Sequence, residues 1–124
     1  ELSENEARYR DLLDSQDDLI SRRDAEDRYL FVNQAFCRAF GVSAPEIIGK
    51  CFRPKILDGQ AHLPLSAETG QKRRYEELVE TQRGARWIVW EEHMVRSART
   101  ASYEIQCIGR DVTEERESEA ALLE

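Results

Sequence analysis

A chain of 124 residues is the length of one domain, and with 40% hydrophobic residues it can enclose one modest core. Its net charge of −7 argues against nucleic acid as the partner, because holding phosphates takes clustered Lys and Arg. The stretch Lys72-Arg73-Arg74 is short enough to be a solvated strand entrance. No apolar run approaches the roughly 20 residues that cross a bilayer, and no secretory signal pattern opens the chain, so no membrane span is expected in this segment. Cys37, Cys51 and Cys107 form an odd set without the spacing of a small disulfide scaffold, which points to a reducing, cytoplasmic compartment.

Residues 3–15 read as a helix, with Ser3 and Glu6 in capping-box spacing and Ala7, Tyr9, Leu12 and Leu13 as a partial apolar stripe. Two β-prone runs follow, Leu19 to Arg23 and Tyr29 to Asn33, joined by the polar turn Asp24-Ala25-Glu26-Asp27 into a hairpin. Asn33 begins a helix through Phe40 that Gly41 stops. Ser43 caps a short helix with Pro45 in its first turn, and Gly49 ends it. From Cys51 to Gly70 the signals weaken, because Pro54, Gly59, Pro64 and Gly70 break any long element; a helical turn is expected between Leu57 and Leu65. Three strands close the pattern, Tyr75 to Thr81, Arg86 to Arg96 and Ser102 to Val112, the first two joined by a tight turn around Arg83-Gly84. Residues 113–124 are helical again. The order predicts an α+β fold with a five-stranded antiparallel sheet. We divide the chain into a leading helix (1–16), a core (17–112) and the start of an outgoing helix (113–124). The charged helical sequence at both ends is what we expect of a piece of a longer protein.

Three stretches carry a resemblance. RYLFVNQAFCRAFGVSAPEIIGK is similar to the second strand and small helices of PAS domains, RRYEELVETQRGARWIVWEEHMVR to their long hairpin, and YEIQCIGRDVTEE to their closing strand, with Asp111-Val112-Thr113 as the Asp-hydrophobic-Thr signature. Their order over nearly the whole chain is more specific than any one of them. The resemblance implies small helices on one face of the sheet enclosing a pocket, flanking helices at both ends, and a sensory role. Function must still be argued from the site.

The chemistry of the better-known relatives is not matched. The light-sensing branch carries G-x-N-C-R-F-L-Q; here Gly49-Lys50-Cys51-Phe52-Arg53 puts the Cys one position early and lacks the Asn. Val79, Ile88 and Gly109 stand where that branch presents flavin-binding amides, and none has a side chain that can pair with the flavin edge. His62 lies between Gly59 and Pro64, an unfavourable setting for a haem-bearing helix. His93 falls on the strand face opposite Ile88, Trp90 and Met94. No cofactor is therefore expected, neither haem nor flavin. Cysteines and histidines are too scattered for a metal site, and Glu76-Glu77 and Glu91-Glu92 point to opposite faces of their strands, so no catalytic pair forms and no enzyme is visible in this segment.

Alternation and resemblance together place Glu77, Val79, Ile88, Trp90, Glu92, Ile105, Cys107 and Gly109 on the inner face, closed by Phe36, Phe40, Ile48 and Phe52. Trp90 would occupy much of a small pocket. An inward Glu77 or Glu92 needs a partner, which makes it a mark of either a polar ligand or an internal Arg pair. On the outer face Trp87, Val89 and Val95, with Tyr9, Leu12 and Leu13 of the leading helix, are the expected homodimer interface. Asp111 and Thr113 are the expected relay, able to cap the outgoing helix, with Asp111 and Glu114 in capping-box spacing. The implied protein is a bacterial signalling protein, with a histidine kinase the first expectation for the downstream effector and a cyclic-dinucleotide enzyme or transcription regulator as alternatives. The competing reading is a protein-contact module without a ligand.

Overall fold

The computed structural model describes residues 17–59, 72–97 and 102–123. The leading-helix residues Tyr9, Leu12 and Leu13, and His62, lie outside them.

The first hairpin forms where alternation predicts it, with β1 (Leu19–Arg23) antiparallel to β2 (Tyr29–Val32). Its turn is held by Asp24, whose Oδ1 accepts from the backbone N–H groups of Glu26 and Arg28, both at 2.9 Å. Asn33 then does three things with one side chain. Its Oδ1 accepts from the N–H of Phe36 at 3.0 Å, capping α1 (Gln34–Phe40), and from the N–H of Ile20 at 3.1 Å, while Nδ2 donates to the Asp18 carbonyl at 2.9 Å. The buried amide thus fixes the helix to the sheet. Gly41, in the left-handed region at φ 65°, closes α1 as expected. Ser43 opens α2 (Ala44–Ile47), with its N–H and hydroxyl both donating to Glu46 Oε1.

Six strands form, not the five expected. The addition is β3 (Ile56–Gly59), which pairs with the free edge of β4 (Lys72–Thr81) through an irregular register. All four of its residues are exposed, so nothing in its own hydrophobic pattern announces it; the partner edge does. Of the segment Leu57 to Leu65, where a helical turn is expected, residues 57–59 are accordingly extended and the rest lies outside the described residues. β4 and β5 (Gly84–Arg96) make the long hairpin, and β6 (Tyr103–Asp111) returns between β5 and β1. The order β2-β1-β6-β5-β4-β3 is antiparallel at every pairing. The outgoing helix α3 (Thr113–Leu122) leaves from the end of the central strand β6.

Leu19, Val79, Ile88, Trp90 and Cys107 of the sheet form one core with Ala35, Phe36 and Ile47 of the small helices and with Tyr29 and Val32. The small helices therefore cover one face of the sheet, and this is the face that matters for the site.

Candidate functional site

Strand alternation gives the inner face two chemically distinct halves. Under the small helices it is apolar and filled. Phe36, Phe40 and Phe52 meet as a ring cluster with centroids 4.9 to 6.0 Å apart, and Phe40 stacks on Trp90 at 6.5 Å with planes 18° apart. Trp90 pairs in register with Gly109, and its ring occupies the place of a side chain there: a Cβ on Gly109 would stand 2.4 Å from Cζ3 of the indole. The indole N–H is buried and has no hydrogen-bond partner among the described residues. The expected pocket residues Phe36, Phe40, Phe52, Val79, Ile88, Trp90, Cys107 and Gly109 are thus brought together by packing on one another. Ile48 stands apart, 40% exposed.

Beyond the helices the same face becomes polar. Glu92, 2% exposed, is held by Arg23 from β1, at 2.7 Å from Nη2 to Oε2, and by Arg73 from β4, whose Nε donates to Oε1 at 3.1 Å. Tyr75 adds its hydroxyl to Oε2 at 3.0 Å. Of the two expectations for an inward Glu92, the internal Arg pair is the one present. Burial raises the pKa of this carboxyl, but the two guanidiniums outweigh burial and hold it below its ordinary value of 4.5. Asp27 extends the network, pairing with Arg23 Nε at 2.9 Å and with Arg53 from the segment after α2. Ile105 belongs to this half, lining a cleft of about 400 Å3 with Arg23, Arg53, Tyr75 and Glu92. Glu77 is buried on β4 opposite Gly59.

Sequence reasoning missed Arg23, Arg73, Arg53 and Asp27 as members of this half. Lys72-Arg73-Arg74 is not uniformly solvated: Lys72 and Arg74 are exposed, whereas Arg73 turns in to Glu92. The signal existed, since Arg73 is in phase with Tyr75 and Glu77, and Arg23 with Leu19 and Ser21.

A second cluster lies where β6 becomes α3. Arg86 donates through Nε to Asp111 Oδ2 at 2.7 Å and through Nη2 to Glu114 Oε1 at 2.6 Å. Asp111 Oδ1 accepts the N–H of Thr113 at 2.9 Å, and Thr113 Oγ1 accepts the N–H of Trp87 at 2.9 Å. The capping box expected of Asp111 and Glu114 does not form, because Arg86 draws Glu114 outward and Asp111 reaches only two residues ahead. Burial pushes the Asp111 pKa up, while Arg86 and Thr113 more than offset this and lower it.

On the outer face Val89 is buried and Val95 half-buried. Trp87 is covered from within the chain: the Arg116 guanidinium of α3 lies 3.8 Å from its ring centroid and also pairs with Glu76. His93 is half-buried on this same face. Among the described residues no His, Cys, Asp and Glu cluster could hold a metal, and no helix is long and apolar enough to cross a membrane.

A family model described as PAS domain matches residues 7–80, more than half of the chain. Among solved structures, the chain is similar to the PAS domain of an HTR-like protein from Haloarcula marismortui, with 20% identity and a TM-score of 0.69 over 89% of this chain and 93% of that one. It is similar to the PAS domain of Bordetella pertussis BvgS, with 24% identity and a TM-score of 0.68 over 98% and 95%. A domain of a sensory box sensor histidine kinase/response regulator from Geobacter sulfurreducens matches with 23% identity and a TM-score of 0.58 over 90% and 97%. No curated protein matches the sequence.

Proposed function

The chain belongs to the PAS domain family, and on that premise we propose that it is the sensory and dimerising module of a cytoplasmic signalling protein, relaying a change in the sheet to a C-terminal effector through α3. The observation that carries this reading is Arg86, which ties the last residue of β6 to the first turn of α3. A shift of β5 against β6 would therefore be felt at the helix base. A histidine kinase is the proposed host, supported by the similar Geobacter sulfurreducens domain, which is part of a sensory box sensor histidine kinase/response regulator. The test is the output of the parent chain: with a kinase, phosphate incorporation from ATP in wild type and Arg86→Ala. We expect altered output from a folded variant. Unchanged output, with unchanged response to stimulus, would discard the relay.

The filled apolar half favours a second reading, in which contact with another PAS module or a partner protein is itself the signal. Trp90 over Gly109 leaves the space under the helices occupied by the protein's own side chains. The same filling supports a domain that works without flavin or haem, and an absorption spectrum with visible bands from protein purified from its native host would refute that. The proposed homodimer uses the half-buried outer-face residues Trp87 and Val95, with Tyr9, Leu12 and Leu13; Val89, already buried within the chain, supports that face from beneath. Light scattering of Leu12→Asp should show loss of dimer mass; a folded variant that stays dimeric would rule this interface out.

A further inference from the structure

Residues 48–53, the segment that follows α2, run along the turn of the β1–β2 hairpin and are tied to it at successive points. The N–H of Gly49 donates to the Tyr29 carbonyl at 2.8 Å, and the N–H of Tyr29 donates to the Lys50 carbonyl at 3.0 Å. The Cys51 thiol donates to the Glu26 carbonyl at 3.6 Å, and Arg53 pairs with Asp27. Between these two ties Phe52 enters the apolar ring cluster, its centroid 6.1 Å from that of Tyr29 and 6.0 Å from those of Phe36 and Phe40. Two consecutive residues thus belong to different halves of the inner face, Phe52 to the apolar half and Arg53 to the polar one.

Asp27, on which this segment closes, is held in a compromise. Its backbone lies in the left-handed region at φ 68°, where glycine is the usual occupant and an aspartate is accommodated at a cost. Its carboxylate is shared. Oδ2 goes to Arg53, whose side chain is 73% exposed, while Oδ1 stands 2.9 Å from Arg23 Nε. The second contact is an ion pair without a hydrogen bond, for the buried Nε–H of Arg23 has no hydrogen-bond partner among the described residues. The oxygen therefore lies beside that N–H rather than in line with it, and a buried donor left in this way is costly. We propose that residues 48–53 form a strap with two positions and that Asp27 is its catch. With the strap closed, Arg53 holds the carboxylate off the Arg23 Nε–H. When Phe52 shifts in the ring cluster, the backbone carries Arg53 away, and Asp27 turns onto Arg23 to complete the missing hydrogen bond. Arg23 also donates through Nη2 to Glu92 Oε2 at 2.7 Å, so the move reaches β5. This deepens the sensory reading by giving a route from the small helices to the strand that carries Arg86. It rests on that reading only for what happens beyond Arg86.

The test follows solvent exchange of the Arg23 Nε–H and of the Tyr29 and Gly49 amides by NMR in the 124-residue chain. No output assay enters, so the strap and the relay can fail separately. Arg53→Ala, at an exposed position, should slow exchange of the Arg23 Nε–H about fivefold, the protection of one added hydrogen bond, while the Tyr29 and Gly49 amides exchange faster. Arg53→Lys keeps the charge and should leave the Arg23 signal closer to wild type. In an Asp27→Gly background, Arg53→Ala should not move the Arg23 signal, because the catch is gone. Phe52→Leu should slow the Arg23 Nε–H in the same sense as Arg53→Ala. A folded Arg53→Ala variant whose Arg23 Nε–H exchanges as fast as in wild type, or faster, would overturn the catch; so would equal slowing in the absence of Asp27. An Arg23 signal unmoved by Phe52→Leu would overturn the coupling between the two halves.

Discussion

At Glu92 a single side chain decides whether the polar half of the sheet is stable. A carboxylate removed from water is tolerated because two guanidiniums and the Tyr75 hydroxyl surround it. Its pKa is lowered in the folded state, so the stabilisation is fully present at neutral pH and is lost as pH falls below its ordinary value of 4.5. Glu92→Gln keeps the shape and removes the charge that faces the two half-buried guanidiniums of Arg23 and Arg73. It should cost about 3 kcal/mol near neutrality. In acid the gap to wild type should narrow, because the wild-type residue is then protonated as well. Urea titrations at neutral and acid pH check this, and an equal gap at both would show that packing, not charge, is what Glu92 contributes. Cys107 lies within the same field. Burial pushes its thiol up to about 12, and the nearby Glu92 carboxylate adds to the rise. A thiol so protonated and 3% exposed should resist alkylation in the native protein, while exposed Cys51 is modified first. Mass spectrometry of protein labelled natively and then in denaturant gives the order; early modification of Cys107 would contradict its burial.

Among the elements, those fixed by neighbours in sequence are the ones legible without a structure. Asn33 and Gly41 bound α1, and Ser43 with Glu46 opens α2, because each cap is completed within a few residues. β3 was illegible for the opposite reason, since its exposed residues become a strand only when the edge of β4 is beside them. Arg23 and Arg73 were hidden in runs of charge, where polarity does not tell which residue alternation turns inward. Gly109 shows that a residue can be noticed for the wrong reason. As a possible cofactor contact it looked merely inert, whereas its function in β6 is to leave room for the Trp90 ring on β5. Gly109→Ala should therefore cost about 1–3 kcal/mol, the penalty for forcing a methyl group into a filled core. Combined with Trp90→Leu, the same substitution should cost much less than it does alone, because the two residues compete for one volume. A denaturation cycle over the four proteins measures the coupling, and simple additivity would mean that the clash is relieved elsewhere.

For the molecule as a whole, the question is how strongly the sheet holds the helix that leaves it. α3 has little apolar surface to bury: Thr113 is its buried residue, and Leu122 is 85% exposed. Its position therefore depends on polar ties to the sheet. One set is at the base, Arg86 with Asp111 and Glu114, and Thr113 with the Trp87 backbone. The other is one turn further along, where Arg116 lies on Trp87 and pairs with Glu76. Partly exposed pairs of this kind contribute about 1 kcal/mol or less each, which suits a relay, since a stronger clamp could not be shifted by a small input. Arg116→Ala should speed amide exchange across residues 114–122 by up to about fivefold, corresponding to about 1 kcal/mol, and leave β5 and β6 unchanged. Arg86→Ala should add exchange at Thr113 itself, because the Asp111 carboxylate loses the partner that orients it toward that N–H. High salt should reproduce much of the Arg116 effect in wild type by screening an exposed pair, but leave the Thr113 to Trp87 hydrogen bond intact. The helix would then loosen from its second turn outward while its base stays joined to the sheet. If exchange instead rises evenly along α3 and into β6 in both variants, helix and strand open as one unit, and no hinge lies between Asp111 and Glu114.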